Sequence, residues 1–242
     1  MLEVLFQDEH LVAVHKPSGL LVHRSAISRG EREFALQMLR DQLERHVHPV
    51  HRLDRATSGV LLFALDREAA SRLAGMLARG EVEKTYLAVV RGHPPEHGEI
   101  DHPLVREPDE YEDGGEVSQQ ARTRFRRLAT VELPHRVDRY PTSRYALVEL
   151  QPSTGRRHQL RRHLAHLRHP IVGDVNHGVG KHNRLFREMF GCHRLLLCCV
   201  ELRLAHPVTG APLHLVAPPE ESFGRVLGQL GWADAWIPRP PR

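Results

Sequence analysis

The stretch HRLDRATSGVLLFAL, His51–Leu65, decides the fold of this chain. Its second half, Gly59–Leu65, is an unbroken apolar run of strand length, which predicts a buried strand. Its first half is polar and ends in Thr57-Ser58-Gly59, residue types that favour a turn. An acid, Asp54, flanked by Arg52 and Arg55, therefore sits at the mouth of a buried strand. The two guanidiniums favour its ionised form, which suits a nucleophile or a base better than a general acid. A structural acid that caps the turn and pairs with either arginine fits the same residues. A kinase catalytic loop does not fit, because Gly59 stands where a metal-binding Asn is needed and no Gly-rich loop exists.

Outward from this stretch, short strands alternate with a few helices. Leu2–Phe6 and Leu11–His15 read as strands, and Lys16-Pro17-Ser18-Gly19 breaks the second with a turn. Phe34, Met38, Leu39 and Leu43 approach a helical stripe over Glu31–Glu44. Asp66 is the predicted cap of a helix that runs to Ala78, with Gly80 as its stop. Strands are predicted over Glu83–Arg91, Gln120–Val131, Ser143–Gln151 and Leu195–Leu204. A helix over Thr154–Arg168 is opened by Ser153 or Thr154 and closed before Pro170. Glu221–Leu230 is the closing helix, and a polar, mobile loop is expected around Glu112–Glu116 within Asp101–Tyr140. No stretch resembles a long linker or a repeat. The pattern predicts one α+β domain over residues 1–242, a mixed and largely antiparallel sheet with flanking helices.

Composition narrows the function classes. Hydrophobic residues make up 40% of the chain, enough for a core, so disorder is excluded as the main state. No apolar run is long enough to span a membrane. The N-terminus carries acids among its apolar residues and is not the expected form of a secretory signal. Three cysteines, Cys192, Cys198 and Cys199, make no even disulfide framework, and a reducing cytoplasm is the expected compartment. Lysine occurs only at positions 16, 84 and 181, so arginine supplies nearly all the positive charge. The formal charge is +4, yet Thr142–Pro170 alone holds six arginines and one acid. Such clustering is an electrostatic footprint for phosphate and points to nucleic acid.

Two further segments could carry chemistry. Tyr86, in Lys84-Thr85-Tyr86, could stack on a base and offer a phenolic oxygen, or simply fill a strand's core face. In Thr154–Leu164, Arg157 and Arg161 share a helix face, as do His158 and Arg162. The N-terminal turn of that helix favours anions. His158, His163, His166 and His169 permit a metal clamp by spacing, but neither cysteine pairs nor an i,i+4 His pair with a neighbouring Glu accompanies them. Packing or RNA contact is therefore expected of these histidines, and no metal. Cys198-Cys199 reads as strand core.

Taken in order, HRLDRATSG (51–59), KTY (84–86) and GRRHQLR (155–161) resemble the signature of the RluA-type family of RNA pseudouridine synthases. The likeness extends from Lys16–Gly19 to the strand at Arg194. It implies that Asp54 is the catalytic aspartate and that Tyr86 stacks on the flipped base and takes the proton from its C5. It implies further that Arg161 pairs with the aspartate and that Arg52 enters the stack the uridine leaves. Arg156, Arg157 and Arg162 become candidates for RNA phosphates. Ala56, where relatives often have Pro or Asp, and Cys198-Cys199, where they usually read His-Ala, are departures.

The implied reaction breaks the N1–C1′ bond of uridine, turns the base and joins C5 to C1′, with no redox change and no cofactor. Base extrusion costs a few kcal/mol, which phosphate and stacking contacts offset. Asp54 could attack C1′ or remove the 2′ proton. The likeness is strongest to tRNA-acting members without an S4-type domain, which implies tRNA as partner and the uridine at tRNA position 65 as target. Ribosomal RNA is the alternative substrate, and a non-catalytic RNA-binding assembly factor is the alternative class. Neither a protein partner nor a membrane enters these expectations. Glycosidase-like hydrolysis would need a second carboxylate, which no motif supplies.

Overall fold

The structure, a computed structural model of the chain, describes residues 1–24, 30, 33–106 and 117–238. In chain order the first elements are β1 (Glu3–Gln7), β2 (Leu11–Lys16), α1 (Ala35–Leu43), β3 (His48–Pro49), β4 (Ser58–Ala64) and α2 (Arg67–Arg79). There follow β5 (Glu83–Arg91), β6 (His97–Asp101), β7 (Leu104–Val105), β8 (Ser118–Gln119), β9 (Arg122–Leu133) and β10 (Ser143–Pro152). The remaining elements are α3 (Gln159–His166), α4 (Gly180–Phe190), β11 (Leu197–Ala205), β12 (Pro212–Val216) and α5 (Glu221–Gln229). The described residues divide into two compact units, one within 1–84 and 199–219, the other within 85–198 and 220–238.

In the first unit the strand order is β1-β2-β4-β11, with β12 on β11 and β3 on β4. β2 and β4 pair antiparallel from Leu11↔Ala64 to Lys16↔Gly59. All seven residues of β4 are buried, which is why the sequence shows a continuous apolar run where a half-exposed strand would alternate. Gly59 lies near the start of that strand with φ +115°, and a Cβ on it would lie 1.9 Å from the carbonyl oxygen of Cys199. Only glycine permits this approach of β4 to β11. Asp66 caps α2 by accepting the Ala69 N–H at 2.8 Å. Gly80 ends the helix in the left-handed region, so both ends of α2 are those the sequence predicts.

In the second unit β5, β10, β9 and β6 are consecutive antiparallel neighbours. β9 alternates exposed Arg122, Arg124 and Arg126 with buried Thr123 and Phe125. Its arginines face carboxylates: Arg122 pairs with Asp101, Arg124 with Glu99 and Arg126 with Glu149. The β1–β2, β2–β4, β3–β4, β11–β12, β5–β10, β9–β10, β6–β9 and β7–β8 ladders are antiparallel, so the predicted α+β architecture with a largely antiparallel sheet is what the chain forms.

Some boundaries differ from the sequence expectations. The helix predicted over Thr154–Arg168 begins only at Gln159, because His158 adopts φ 53° and cannot continue a helix backwards. Thr154 is not a cap there; its hydroxyl donates to Gln159 Oε1 at 2.8 Å and accepts from the Arg122 N–H at 3.0 Å. Helix α1 starts at Ala35, and residues 31 and 32 of its predicted span lie outside the described residues, as does the expected loop at 112–116. The sequence reading also missed α4 and β12. His182, Phe186 and Phe190 form the buried i, i+4, i+8 stripe that would have revealed α4.

That stripe carries a pH dependence. The Tyr145 hydroxyl and His182 Nδ1 share a hydrogen bond of 2.7 Å in a buried site, where Phe186 also packs on the tyrosine ring. Burial, reinforced by the Arg91 charge, lowers the His182 pKa from 6.5 to about 4. The unfolded chain takes up a proton as pH falls through 6.5, while the folded chain resists until about 4. This histidine's contribution is thus complete above pH 6.5 and shrinks on acidification. Between about pH 7.5 and pH 5 it should account for about 2 kcal/mol of lost stability. His182→Asn keeps an acceptor for Tyr145 but does not titrate. Urea unfolding at the two pH values should show a pH loss smaller by that amount in the variant; equal losses in both proteins would refute the assignment.

Candidate active site

The Asp54 loop belongs to the first unit and is held by the turn that packs on it, Lys16-Pro17-Ser18-Gly19. Because Lys16 lies opposite Gly59 in the β2–β4 ladder, both loops leave the same end of that strand pair. The Lys16 side chain is fully buried, and its Nζ donates to the carbonyls of Pro17 at 2.9 Å, Leu20 at 2.8 Å and Arg55 at 3.2 Å. A buried ammonium is tolerable only with such a set of acceptors. The Gly19 N–H donates to the Arg55 carbonyl, the Arg55 Nε returns a bond to the Gly19 carbonyl, and the Ser18 hydroxyl donates to the Ala56 carbonyl. Within the loop the Thr57 N–H donates to the Asp54 carbonyl at 3.0 Å. That bond closes a turn around the aspartate.

Asp54 itself is half-buried and its neighbours Arg52 and Arg55 are exposed, so the carboxylate stands at the border of solvent on a backbone fixed at three points. Three residues before it in the chain, His51 Nε2 accepts the Leu62 N–H at 3.0 Å. Burial, with the nearby Lys84 charge, lowers the His51 pKa to about 4, so the ring stays a neutral acceptor at neutral pH. The histidine of the motif is thus a strut between the loop and β4. The sequence marks Lys16–Gly19 as a turn but does not reveal that its cation is the keystone of the aspartate loop.

Tyr86 and Arg161 belong to the second unit. Tyr86 lies on β5 opposite Leu150 of β10 and is buried. Arg161, on α3, is buried too. Two of its nitrogens form a fork on Asp174, Nε to Oδ2 at 2.7 Å and Nη2 to Oδ1 at 2.8 Å. Such a bidentate, charge-assisted pair is the geometry a guanidinium and a carboxylate make best. Asp174 was not singled out from the sequence, although its setting between Gly173 and Gly178 marks a tight turn. Burial pushes the Asp174 carboxyl up, but Arg161 and the His177 and Asn176 amides outweigh it and hold the pKa below the ordinary value.

The phosphate candidates divide as well. Arg156 and Arg157 are exposed, and Arg162 is half-exposed. Arg156 Nε donates to the Gln120 carbonyl at 3.1 Å, and Arg162 Nη1 donates to the Val105 carbonyl at 2.9 Å. Part of their donor capacity therefore fastens the chain around β7 and β8 to α3. The histidines have packing roles. His163 bonds Thr123 and the His102 carbonyl, His166 stacks on His102 at 3.7 Å between centroids, and His169 meets the Arg91 carbonyl. His158 lies 3.3 Å from His177, nitrogen to nitrogen. Among the described residues no group of three or more His, Cys, Asp or Glu could hold a metal ion. Cys198 and Cys199 are buried in β11, as expected. No helix among the described residues is long and apolar enough to cross a membrane.

Comparison with known proteins adds a second line of observation. The family model described as RNA pseudouridylate synthase matches residues 10–166. The tRNA pseudouridine synthase C of Vibrio cholerae serotype O1 is 52% identical over 241 residues, covering 98% of this chain and 99% of that protein. The protein of the same name from Salmonella typhi is 51% identical over 236 residues, covering 96% of this chain and 91% of its own length. Among solved structures, human RNA Pseudouridylate Synthase Domain Containing 4 is similar with a TM-score of 0.70 and 30% identity, covering 95% of this chain and 93% of that one.

Proposed function

We propose a tRNA substrate for this chain, which belongs to the RNA pseudouridylate synthase family and isomerises uridine to pseudouridine in RNA. The observation that carries the proposal is the 52% identity, along 98% of the chain, to a tRNA pseudouridine synthase C. The target proposed is the uridine at tRNA position 65, on the resemblance of the sequence to tRNA-acting members.

In this reading Asp54 is the catalytic carboxylate. Its backbone is clamped by Lys16, Ser18 and Gly19, so the side chain is presented without a search through loop conformations. The carboxylate acts on the ribose, at C1′ or at the 2′ proton, while the base is released from N1 and rejoined through C5. Tyr86 is the stacking residue, and its phenolic oxygen is the acceptor for the C5 proton. Arg161 is the cation that serves the aspartate. Arg52 is the exposed cation that fills the stack vacated by the flipped uridine. Arg156, Arg157 and Arg162 are the cations that meet phosphates, Arg156 and Arg162 while also bonded to the Gln120 and Val105 carbonyls. The reaction is an isomerisation, so the proposal calls for no cofactor.

Chemical mapping of pseudouridine in tRNA and ribosomal RNA from a strain lacking this chain tests the proposal. Loss of pseudouridine at tRNA position 65, restored by the purified protein, is the expected result. An unchanged tRNA pattern with a missing ribosomal site would transfer the activity to ribosomal RNA.

A further inference from the structure

Arg161 and Asp174 form a buried pair whose side chains are 7% and 1% exposed. Such a pair is a poor device for stability alone, because desolvating two charges consumes most of their attraction, and apolar residues of similar volume do as well or better. What a forked pair supplies is geometry. An arginine side chain turns about several bonds, and a bidentate carboxylate selects one plane for the guanidinium.

Here the carboxylate is placed independently of the arginine. Asp174 Oδ1 also accepts the backbone N–H groups of Asn176 at 2.9 Å and His177 at 3.0 Å, so the turn after it fixes its side chain. Its own carbonyl accepts Asn183 Nδ2 at 2.8 Å, while Asn183 Oδ1 accepts the Gly173 N–H at 2.8 Å. Asn183 thus latches the Val172–Gly173 and Asp174–Val175 peptide groups to the first turn of α4. The flanking glycines are obligatory: a Cβ on Gly173 would lie 1.9 Å from the Arg194 carbonyl oxygen, and one on Gly178 would lie 2.1 Å from that of Asp174. No other residue allows backbone to approach so closely. Val175 projects into solvent at 88% exposure, so its side chain does not hold the turn by apolar burial. Polar bonds that converge on Asp174 hold it.

We infer that Asp174 is the positioning residue for Arg161: a carboxylate mounted on a rigid Gly-flanked turn sets the plane in which α3 presents its guanidinium to the reaction. This rests on the proposal above that Arg161 serves the reaction. Asp174 itself makes and breaks no bond.

The test uses the full chain and transcribed tRNA carrying [5-³H]uridine, with single-turnover tritium release, RNA affinity by filter binding, and thermal melting. Asp174→Asn keeps the shape but turns an amide donor toward the guanidinium. It should slow the single-turnover rate about 30- to 100-fold while RNA affinity stays within about threefold, because misplacement costs rate and not docking. Arg161→Lys should show the same split. The double variant should be within about threefold of Arg161→Lys alone, since both changes break one unit.

Parental rate in Asp174→Asn alongside an impaired Arg161→Lys overturns the inference and leaves the role of Arg161 standing. Parental rate in Arg161→Lys overturns the underlying reading instead. Proportional loss of rate, affinity and melting temperature in Asp174→Asn means a packing role and also overturns the inference. If Asp174→Asn does not fold, Asp174→Glu carries the test, because it keeps the charge pair and moves the fork by one methylene. It should show the same loss of rate with retained affinity, and a parental rate there overturns the inference.

Discussion

Asp54→Asn should abolish turnover while leaving the protein folded and able to bind RNA. The exchange is isosteric, and the loop around position 54 is held by backbone carbonyls and amides that the variant keeps. What it loses is a charged oxygen that can form a bond to C1′ or remove a proton from C2′. Loss of such a group costs at least about a thousandfold in rate, or roughly 4 kcal/mol of barrier. Tritium release from [5-³H]uridine-labelled tRNA measures this directly. Melting close to that of the parent and unchanged filter binding would localise the loss to chemistry. Turnover at the parental rate would remove Asp54 from the mechanism and return it to the turn-capping role that its flanking arginines also permit.

The second large effect is expected from a residue that touches no substrate in this mechanism. Lys16→Met retains the length and apolar stem of a fully buried side chain but removes the ammonium that three carbonyls share. Its removal takes that donor from the Pro17 and Leu20 carbonyls and leaves the Arg55 carbonyl with the Gly19 N–H; at about 1–3 kcal/mol for a buried polar group left unsatisfied, the loss is about 3 kcal/mol. At this chain size that corresponds to a melting temperature lower by roughly 10 °C. The Arg55 carbonyl is one of the three acceptors, so the aspartate loop loses a clamp at the residue next to Asp54. Single-turnover tritium release at a temperature where the variant is folded should fall about tenfold or more. Parental stability would show that the carbonyls find other donors and that Lys16 does not organise the loop.

Clustered charge in the sequence says less than it promises, and β9 shows why. The run Arg122–Arg127 is as rich in arginine as the α3 region, yet acids from β6 and β10 face its exposed members. Arg156 and Arg162 spend donors on backbone carbonyls, and Arg161 is occupied by Asp174. A guanidinium's partner is set by what the fold brings opposite it, and those acids lie 13 to 25 residues away along the chain. Local counting cannot see them.

By itself the sequence determined the features that depend on neighbours along the chain. Periodicity and apolar runs located most strands, because side-chain alternation and burial repeat every two residues or fill every position. The Asp66 cap and the Gly80 stop were legible because helix ends are local chemistry. The ordered motifs around Asp54, Tyr86 and Arg161 identified the family, which the 10–166 match and the full-length relatives bear out. Tertiary structure alone decided what those residues stand on. It made Lys16 the clamp of the aspartate loop, His51 a neutral strut beside it, and Asp174 the carboxylate beneath Arg161. It also started α3 at Gln159, where a left-handed His158 overrides the helical pattern upstream. The clamp, the strut and the fork each depend on a polar group that burial forces to find a partner, and burial exists only once distant segments have packed.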